Sequence, residues 1–389
     1  MKWPEKKIGD LTEVLSGFAF DSQFFNNEIG FKLIRIRDVV RGFSETFYNG
    51  KFEDRYVVKE GDFLIGMDGE FNIAKWGKEP ALLNQRVCKI TVKNNLLDEN
   101  YLFHFLPKQL KLIEDITPFV TVKHLSVKKI NEIKIPLPPL AEQQRIAELL
   151  DTADHILKLR ESAIAKLDQL AQSVFVEMFG DVVSNNKNWH QLSINEIAAN
   201  EKYSIVDGPF GSSLKPTDYL ETGVPVIRIA NVTKDGYFLP KNLLYISKEK
   251  FKELKRSSVF GDDVLVTRVG TIGNTCIFPN NFGDALLSTT GVCKIKPNRE
   301  LVMPSYLHAS IKTKSFQAQI NKSASTSVQK YFNLTALKSW KISIPPLHLQ
   351  NEFIKKINLI NDEITKHQQY LHQIKNLKFS LQYQSFAIN

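Results

Sequence analysis

The sequence predicts an α+β protein in which one unit is written twice: a mixed, strand-rich domain followed by a long helix, then the same again. Three observations predict it. A proline-led helix start occurs twice, as IPLPPLAEQQRIAELL at 135–150 and ISIPPLHLQNEFIKKI at 342–357. Short alternating apolar runs, separated by Gly, Asn, Asp and Pro clusters, precede each start. A run of about five heptads with apolar residues every 3.5 positions follows each.

With Pro138 laid on Pro345, the matched positions include Ile135/Ile342, Pro139/Pro346, Leu140/Leu347, Gln143/Gln350, Ile146/Phe353 and Leu150/Ile357. The match extends upstream. Trp3 and Ile8 correspond to Trp189 and Ile194, FKLIRIRDV at 31–39 to VPVIRIANV at 224–232, and GDFLIGMDG at 61–69 to DDVLVTRVG at 262–270. Offsets along this alignment are 186, 193, 201 and 207, so the second copy gains 21 residues in small steps. Small insertions in a retained frame are what surface loops accept. The expected boundaries are 1–140 for the first domain, 141–180 for its helix, 187–346 for the second domain and 347–386 for its helix. Within the domains, 100–114 and 304–320 have helical patterns.

Each long helix starts where Pro-Pro ends the preceding element, and Glu142 then sits in a first turn whose dipole favours a carboxylate. The expected seam of the first helix is Ile146, Leu150, Leu157, Ile164, Leu167 and Val174, with Ala153, Ala171 and Met178 in register and Arg160 interrupting. That of the second is Ile357, Ile360, Ile364, Leu371 and Ile374, flanked by Phe353 and Leu381 and interrupted by His367. Gly180 is the expected C-terminal cap. A helix of roughly 38 residues is about 57 Å long, wider than a small domain, so the two helices are expected to pack on each other.

The 389 residues suffice for two or three domains, and 43% hydrophobic with 24% charged is a globular composition. No apolar run approaches the ~18 residues of a membrane span, and MKWPEKK lacks the apolar core of a signal peptide. Cys88, Cys276 and Cys293 are too few for a disulfide framework or zinc site, which makes a reducing cytoplasm the expected location. The net charge of +9 and pI near 9.1 suit a polyanion partner, or a basic enzyme.

The sequence carries no familiar catalytic constellation. There is no Gly-x-x-x-x-Gly-Lys-Ser/Thr loop, no Gly-x-Gly-x-x-Gly, no His-Glu-x-x-His and no Asn-Pro-Pro-aromatic loop. Asp38 or Asp115 with Glu132-Ile133-Lys134 imitates a nuclease triad, but Glu132 aligns with Ser339, so the pattern breaks where the frame persists. The eight His residues have no ligand spacing, and no metal site is expected.

Polar residues at the strand ends are the candidate nucleic-acid contacts. Arg35-Ile36-Arg37-Asp38 and Arg228-Ile229-Ala230-Asn231 carry groups able to pair with base edges or phosphates. The shared Arg35/Arg228 suits phosphate contact or a structural ion pair, and the differing Arg37/Ala230 and Asp38/Asn231 suit reading different bases. Three further aligned turns have divergent tips. They are 67–72, with Asp68 and Asn72, against 268–274, with Arg268, Thr271 and Asn274; Asn84-Gln85-Arg86 against Ser288-Thr289-Thr290; and Thr121-Val122-Lys123 against Val328-Gln329-Lys330. Gly17-Phe18-Ala19-Phe20 and 208–213 form another pair, which with its flank adds Ser212 and Lys215; its Phe residues read as core. Any one tip alone is also what a solvated turn looks like.

Taken together, Pro138-Pro139-Leu140-Ala141-Glu142-Gln143-Gln144-Arg145-Ile146, its duplication, and the Arg268-Val269-Gly270-Thr271-Ile272-Gly273 turn resemble the specificity subunit of a type I restriction–modification enzyme. One departure stands out: Leu349 replaces the family's Glu in the second leader. The resemblance covers essentially the whole chain. It implies two target recognition domains, each reading half of a split DNA sequence, and an antiparallel coiled coil with a near two-fold that spaces them. Half-site centres on one face of B-DNA would then lie about 34 Å apart. It further implies two methyltransferase subunits docked on this chain, a separate restriction subunit, and S-adenosylmethionine, ATP and Mg bound by those partners, with no catalytic group here. A stand-alone bipartite DNA-binding regulator and an enzyme with an unrecognised site are the rival expectations.

Overall fold

The computed structural model describes residues 3–77, 79–118, 123–289, 291–325 and 329–386. It divides into two compact units, Met1–Glu161 with Gln368–Asn389 (unit 1) and Ser162–His367 (unit 2). Both divisions fall inside the long helices Leu140–Phe179 and Leu347–Phe386, so each unit contains part of each helix.

The two units repeat one topology. In unit 1 a four-stranded antiparallel sheet has the order Thr12–Ser16, Val87–Val92, Phe63–Gly66, Ile73–Lys75. A second sheet has the order Phe25–Asn26, Phe47–Tyr48, Phe31–Ile34, Ala81–Leu83, Val57–Val58, with one parallel pair between Phe31–Ile34 and Ala81–Leu83. Unit 2 repeats the first sheet as Ile205–Asp207, Val292–Ile295, Val264–Thr267, Thr275–Ile277. Its second sheet runs Leu244–Ile246, Val224–Ile227, Ala285–Leu287, Ser258–Val259, again with one parallel pair. A two-stranded ribbon closes each domain before its leader: Glu5–Lys7 with Lys134–Pro136, and His190–Ser193 with Lys341–Ile344.

The central strands are apolar without alternation because both of their faces are covered. Phe63 and Ile65 enter the core shared with the helices, whereas Leu64 points into a second core beneath the other sheet. Val264 and Val266 against Leu265 do the same in unit 2. The segment expected around 100–114 is the helix Glu99–Ile116, capped by Asp98, whose carboxylate accepts the Tyr101 N–H at 2.9 Å. Its counterpart is broken into Pro304–Lys312 and Lys314–Ser323, because the Thr313 side chain caps a new start.

The leader glutamines explain what the duplicated Pro-Pro segment does. Gln143 is fully buried: its Oε1 accepts from Asp98 N at 2.8 Å, and its Nε2 donates to Leu96 O and Pro138 O at 2.9 and 2.8 Å. Gln350 is equally buried and bonds Met303 N, Leu301 O and Pro345 O at 2.8, 3.0 and 2.8 Å. Each clamp ties a long helix to the start of its domain helix. Glu142 instead makes an exposed pair with Arg145, whose hydrogen bonds hold its carboxyl below the usual range, while Leu349 packs against the unit 2 core. The substitution at 349 therefore leaves the clamp intact.

Within unit 1 the start of the first long helix lies antiparallel to the end of the second. Lys378 pairs with Asp154, and the Arg160 guanidinium lies 4.8 Å from the Tyr370 ring, which gives the polar interruption an aromatic partner. Phe386 packs against Tyr101 and Phe105. Within unit 2, Phe175 and Phe179 pack on Phe353 and Tyr306. Ile146, Leu150, Ile360 and Ile364 are buried, and Leu157, Ile164, Leu167, Val174, Ile357, Leu371 and Ile374 are partly buried. Gly180 ends the first helix at φ +72.

Unit 2 also contains a cavity of about 1200 Å³ whose lining includes Asp168, Tyr237, His308, Lys312 and Phe353. Among the described residues, no helix is long and apolar enough to cross a membrane.

Candidate nucleic-acid interface

The strand order brings together, in each unit, turns that are far apart in sequence. In unit 1 the turn after Phe63–Gly66 is held by Met67 N donating to Arg86 O and Gly69 N donating to Lys123 O, at 2.8 and 2.9 Å. Gln85 N donates to Phe18 O at 2.8 Å, which adds the 17–20 turn. Ile36 lies over Gly66, so the 35–38 turn flanks the same strand end. In unit 2 the corresponding bonds are Arg268 N to Gly291 O at 3.0 Å and Gly270 N to Lys330 O at 2.9 Å, with Ile229 over Gly291. Gly17 and Gly208 permit this approach: a Cβ at either would fall 2.0 or 1.6 Å from the carbonyl oxygen of Asn84 or Ser288.

Exposed tips lie on this shared frame. In unit 1, Asp68 pairs with Arg86 at 3.0 Å and with His124 at 2.7 Å. Arg35, Arg37 and Gln85 are exposed close by in sequence to these turns, and Asn72 is exposed with its amide on Glu70 at 3.3 Å. In unit 2, Asp207 pairs with Arg256 at 2.8 Å and with Arg268. Thr271, Gln329 and Lys330 are exposed, and Asn274 is partly buried with its backbone N–H on Thr267 Oγ1 at 3.0 Å. Ser212 and Lys215 are also exposed, but among the described residues no hydrogen bond or ion pair joins them to the Asp207 cluster.

Several expected readers have other work. Asp38 and Asn231 are buried, and each accepts the backbone N–H of the preceding arginine, Arg35 or Arg228, at 2.9 Å. Asp and Asn can both accept that bond, and the Asn231 amide in addition donates to Leu239 O and Lys241 O, at 2.9 and 3.1 Å, which a carboxylate could not do. Asn84 is buried with its Oδ1 on Gln85 N at 2.9 Å. The Lys123 ammonium turns to Glu114 O, 2.7 Å away, at the end of the domain helix. Arg228 is partly buried and donates to Asn242 O, whereas Arg35 is exposed. Arg268 is an inner residue, its Nε on Phe332 O at 3.2 Å. Phe20 is core as expected, but Phe18 and Phe210 are exposed. Thr121, Val122, Thr290 and Val328 lie outside the described residues.

His124, Asp207 and Arg256 had not been singled out. Arg256 ends the charged run 248–256 and His124 follows Lys123, but only tertiary contact separates them from ordinary surface charge. Among the described residues, no group of three His, Cys, Asp or Glu could hold a metal ion.

Comparison with known proteins converges on one family. The Type I restriction modification DNA specificity domain matches residues 1–169 and 186–376. The chain is 32% identical over 385 residues to the EcoBI specificity subunit of Escherichia coli, covering 91% of this chain and 78% of that one. It is 25% identical over 338 residues to the MjaVIII specificity subunit of Methanocaldococcus jannaschii, covering 83% and 77%. The fold is similar to that of a type I system S subunit from M. genitalium, with TM-score 0.60 at 16% identity over 100% of this chain and 97% of that one. It is also similar to a chain from a structure on assembly and conformational transition of the type I R-M system, with TM-score 0.56 at 17% identity over 99% and 97%.

Proposed function

Because the chain belongs to the family of type I restriction–modification specificity subunits, whose task is DNA recognition, we propose that it reads a target in two parts, one part per unit, and positions methyltransferase subunits there. One observation carries this reading: the units share strand order, glycine approaches and clamps, yet present different charged tips on matched turns. A repeated frame with divergent tips suits two readers of different sequence. The net charge of +9 supplies backbone attraction independent of sequence.

The long helices are the partner-docking surface. Leu149, Leu159, Leu170, Val176, Leu359, Leu377 and Phe379 remain exposed on them outside the seams and would be the apolar contacts of a docked partner. The chemistry belongs to those partners. The methyltransferase subunits bind S-adenosylmethionine, and a restriction subunit, where present, uses ATP and Mg.

Co-purification with products of neighbouring genes, followed by methylation-site mapping, tests the reading. The expected result is two methyltransferase subunits per chain and a two-part methylated sequence. Tight DNA binding and full occupancy of sites by the chain without partners would favour a regulator. Turnover of a substrate by the isolated chain would overturn the non-catalytic assignment.

A further inference from the structure

Resting on the DNA-recognition reading above, we infer that each unit reads its half of the target through a guanidinium aimed by a buried-side carboxylate: Arg86 aimed by Asp68 in unit 1, and Arg256 aimed by Asp207 in unit 2.

In unit 1, Asp68 is 14% exposed and lies between two outward side chains, Arg86 at 62% and His124 at 63%. Ion pairs this exposed add little stability, so their main physical effect is to fix direction. Arg86 also adopts φ +71, in the left-handed region that glycine would occupy at lower cost. An unfavourable backbone conformation that places an exposed guanidinium points to a use for that group. Asp68 engages Nη1, which leaves donors of the planar fork free for guanine O6 and N7. His124 braces the carboxylate from its other oxygen.

Unit 2 reaches the same arrangement from different segments. Asp207 Oδ2 accepts from Arg268, which is 14% exposed and also tied to Phe332 O. Its Oδ1 accepts from Arg256 at 2.8 Å, and Arg256 is 39% exposed with its guanidinium 6.0 Å from the ring of Phe210, itself 75% exposed. Arg268 is thus a positioning residue, held behind Asp207, and Arg256 is the reader. Phe210 is the apolar face beside it, suited to a thymine methyl or an unstacked base edge. One carboxylate facing two guanidiniums leaves the cluster cationic overall, as a DNA contact requires.

The test incubates the full chain, purified together with its methyltransferase subunits, with a random-sequence duplex library and sequences the bound fraction. Wild type is compared with Arg86→Gly, which relieves the φ strain, Arg256→Ala, Asp68→Asn, Asp207→Asn and the conservative Asp207→Glu. Wild type is expected to enrich a two-part sequence. Arg86→Gly should lose preference about 10- to 100-fold at one position of one part, and Arg256→Ala likewise in the other part. Each Asp→Asn variant should lose the same position as the arginine it aims, with total DNA retention kept, and Asp207→Glu should restore part of it. Enrichment of the untouched part reports that each variant is folded. Unchanged sequences with both arginine variants, or loss spread evenly over all sequences, would overturn the inference. Should wild type itself enrich nothing, the DNA-recognition reading fails and takes the inference with it.

Discussion

Gln143 and Gln350, 207 positions apart, make the same three hydrogen bonds: one accepted from the backbone at the start of a domain helix, and two donated to carbonyls on either side of it. Both side chains are completely buried. The duplicated leader is therefore retained for a clamp that only a primary amide of this length can make.

Replacing Gln143 by Leu removes the partner of Asp98 N, Leu96 O and Pro138 O, of which the Pro138 carbonyl is buried and the other two partly buried. A cost of about 2–4 kcal/mol is expected. Hydrogen exchange followed by mass spectrometry should show lost protection around 96–102, with 301–307 unchanged; Gln350→Leu should give the converse. Equal loss in both places would mean the clamps are not local to their units.

The copies also differ in how an aligned ion pair is housed. Lys294 and Asp263 are buried and 2.8 Å apart, whereas Lys89 and Asp62 are partly exposed at 3.4 Å. Removing one member of a buried pair leaves the other uncompensated, so Lys294→Met should cost about 3–5 kcal/mol. Lys89→Met should cost no more than about 1 kcal/mol. Urea unfolding of the two variants checks the contrast.

Asp38 and Asn231 accept one backbone bond in common, so an amide at position 38 should matter little. Asp38→Asn is expected to leave the sequence bound unchanged and stability within about 0.5 kcal/mol. Asp38→Ala, which abolishes the bond, should cost about 1–2 kcal/mol. A changed target with Asp38→Asn would return this residue to the set of readers.

His308 provides a pH dependence. Burial first, and then the Lys312 ammonium, push its imidazole down to about 3 from an ordinary 6.5; its Nδ1 has no hydrogen-bond partner, and Asp168, Asp235 and Tyr237 line the surrounding cavity. A histidine lowered in the folded state stays neutral there while the unfolded chain takes up a proton. Its contribution is thus complete above pH 6.5 and is lost as the pH falls from 6.5 towards 3. By pH 5 the loss should be about 2 kcal/mol. His308→Gln should remove that part of the acid sensitivity, read as the difference between wild-type and variant urea midpoints at pH 7.5 and pH 5.

The repeat and the helical seams were legible in the sequence because both depend on spacing alone. The α+β class followed from the alternation of short apolar runs with helical stretches, and it holds in both units. Spacing could not reveal which polar tips face outward. Asp38 and Asn231 looked like readers because they differ between the copies, yet a cap accepts either. Asp207, Arg256 and Arg268 come from three separate segments, and only the order of strands brings them together. The break at Thr313 was hidden because helical apolar spacing continues across it, although its hydroxyl starts a new helix. Phe18 and Phe210 were read as core because nothing local distinguishes a stacked ring from a presented one.

Phe386 fills the space against Tyr101 and Phe105, so the core of unit 1 is completed by a segment translated only after the whole of unit 2. Unit 2 draws on one continuous stretch, Ser162–His367, and can close its core while unit 1 still lacks a wall. A premature stop shortly before 386 would consequently injure unit 1 and spare unit 2. During synthesis the surface of Tyr101 and Phe105 stays uncovered while more than two hundred residues of unit 2 are added, which leaves it open to aggregation for that time.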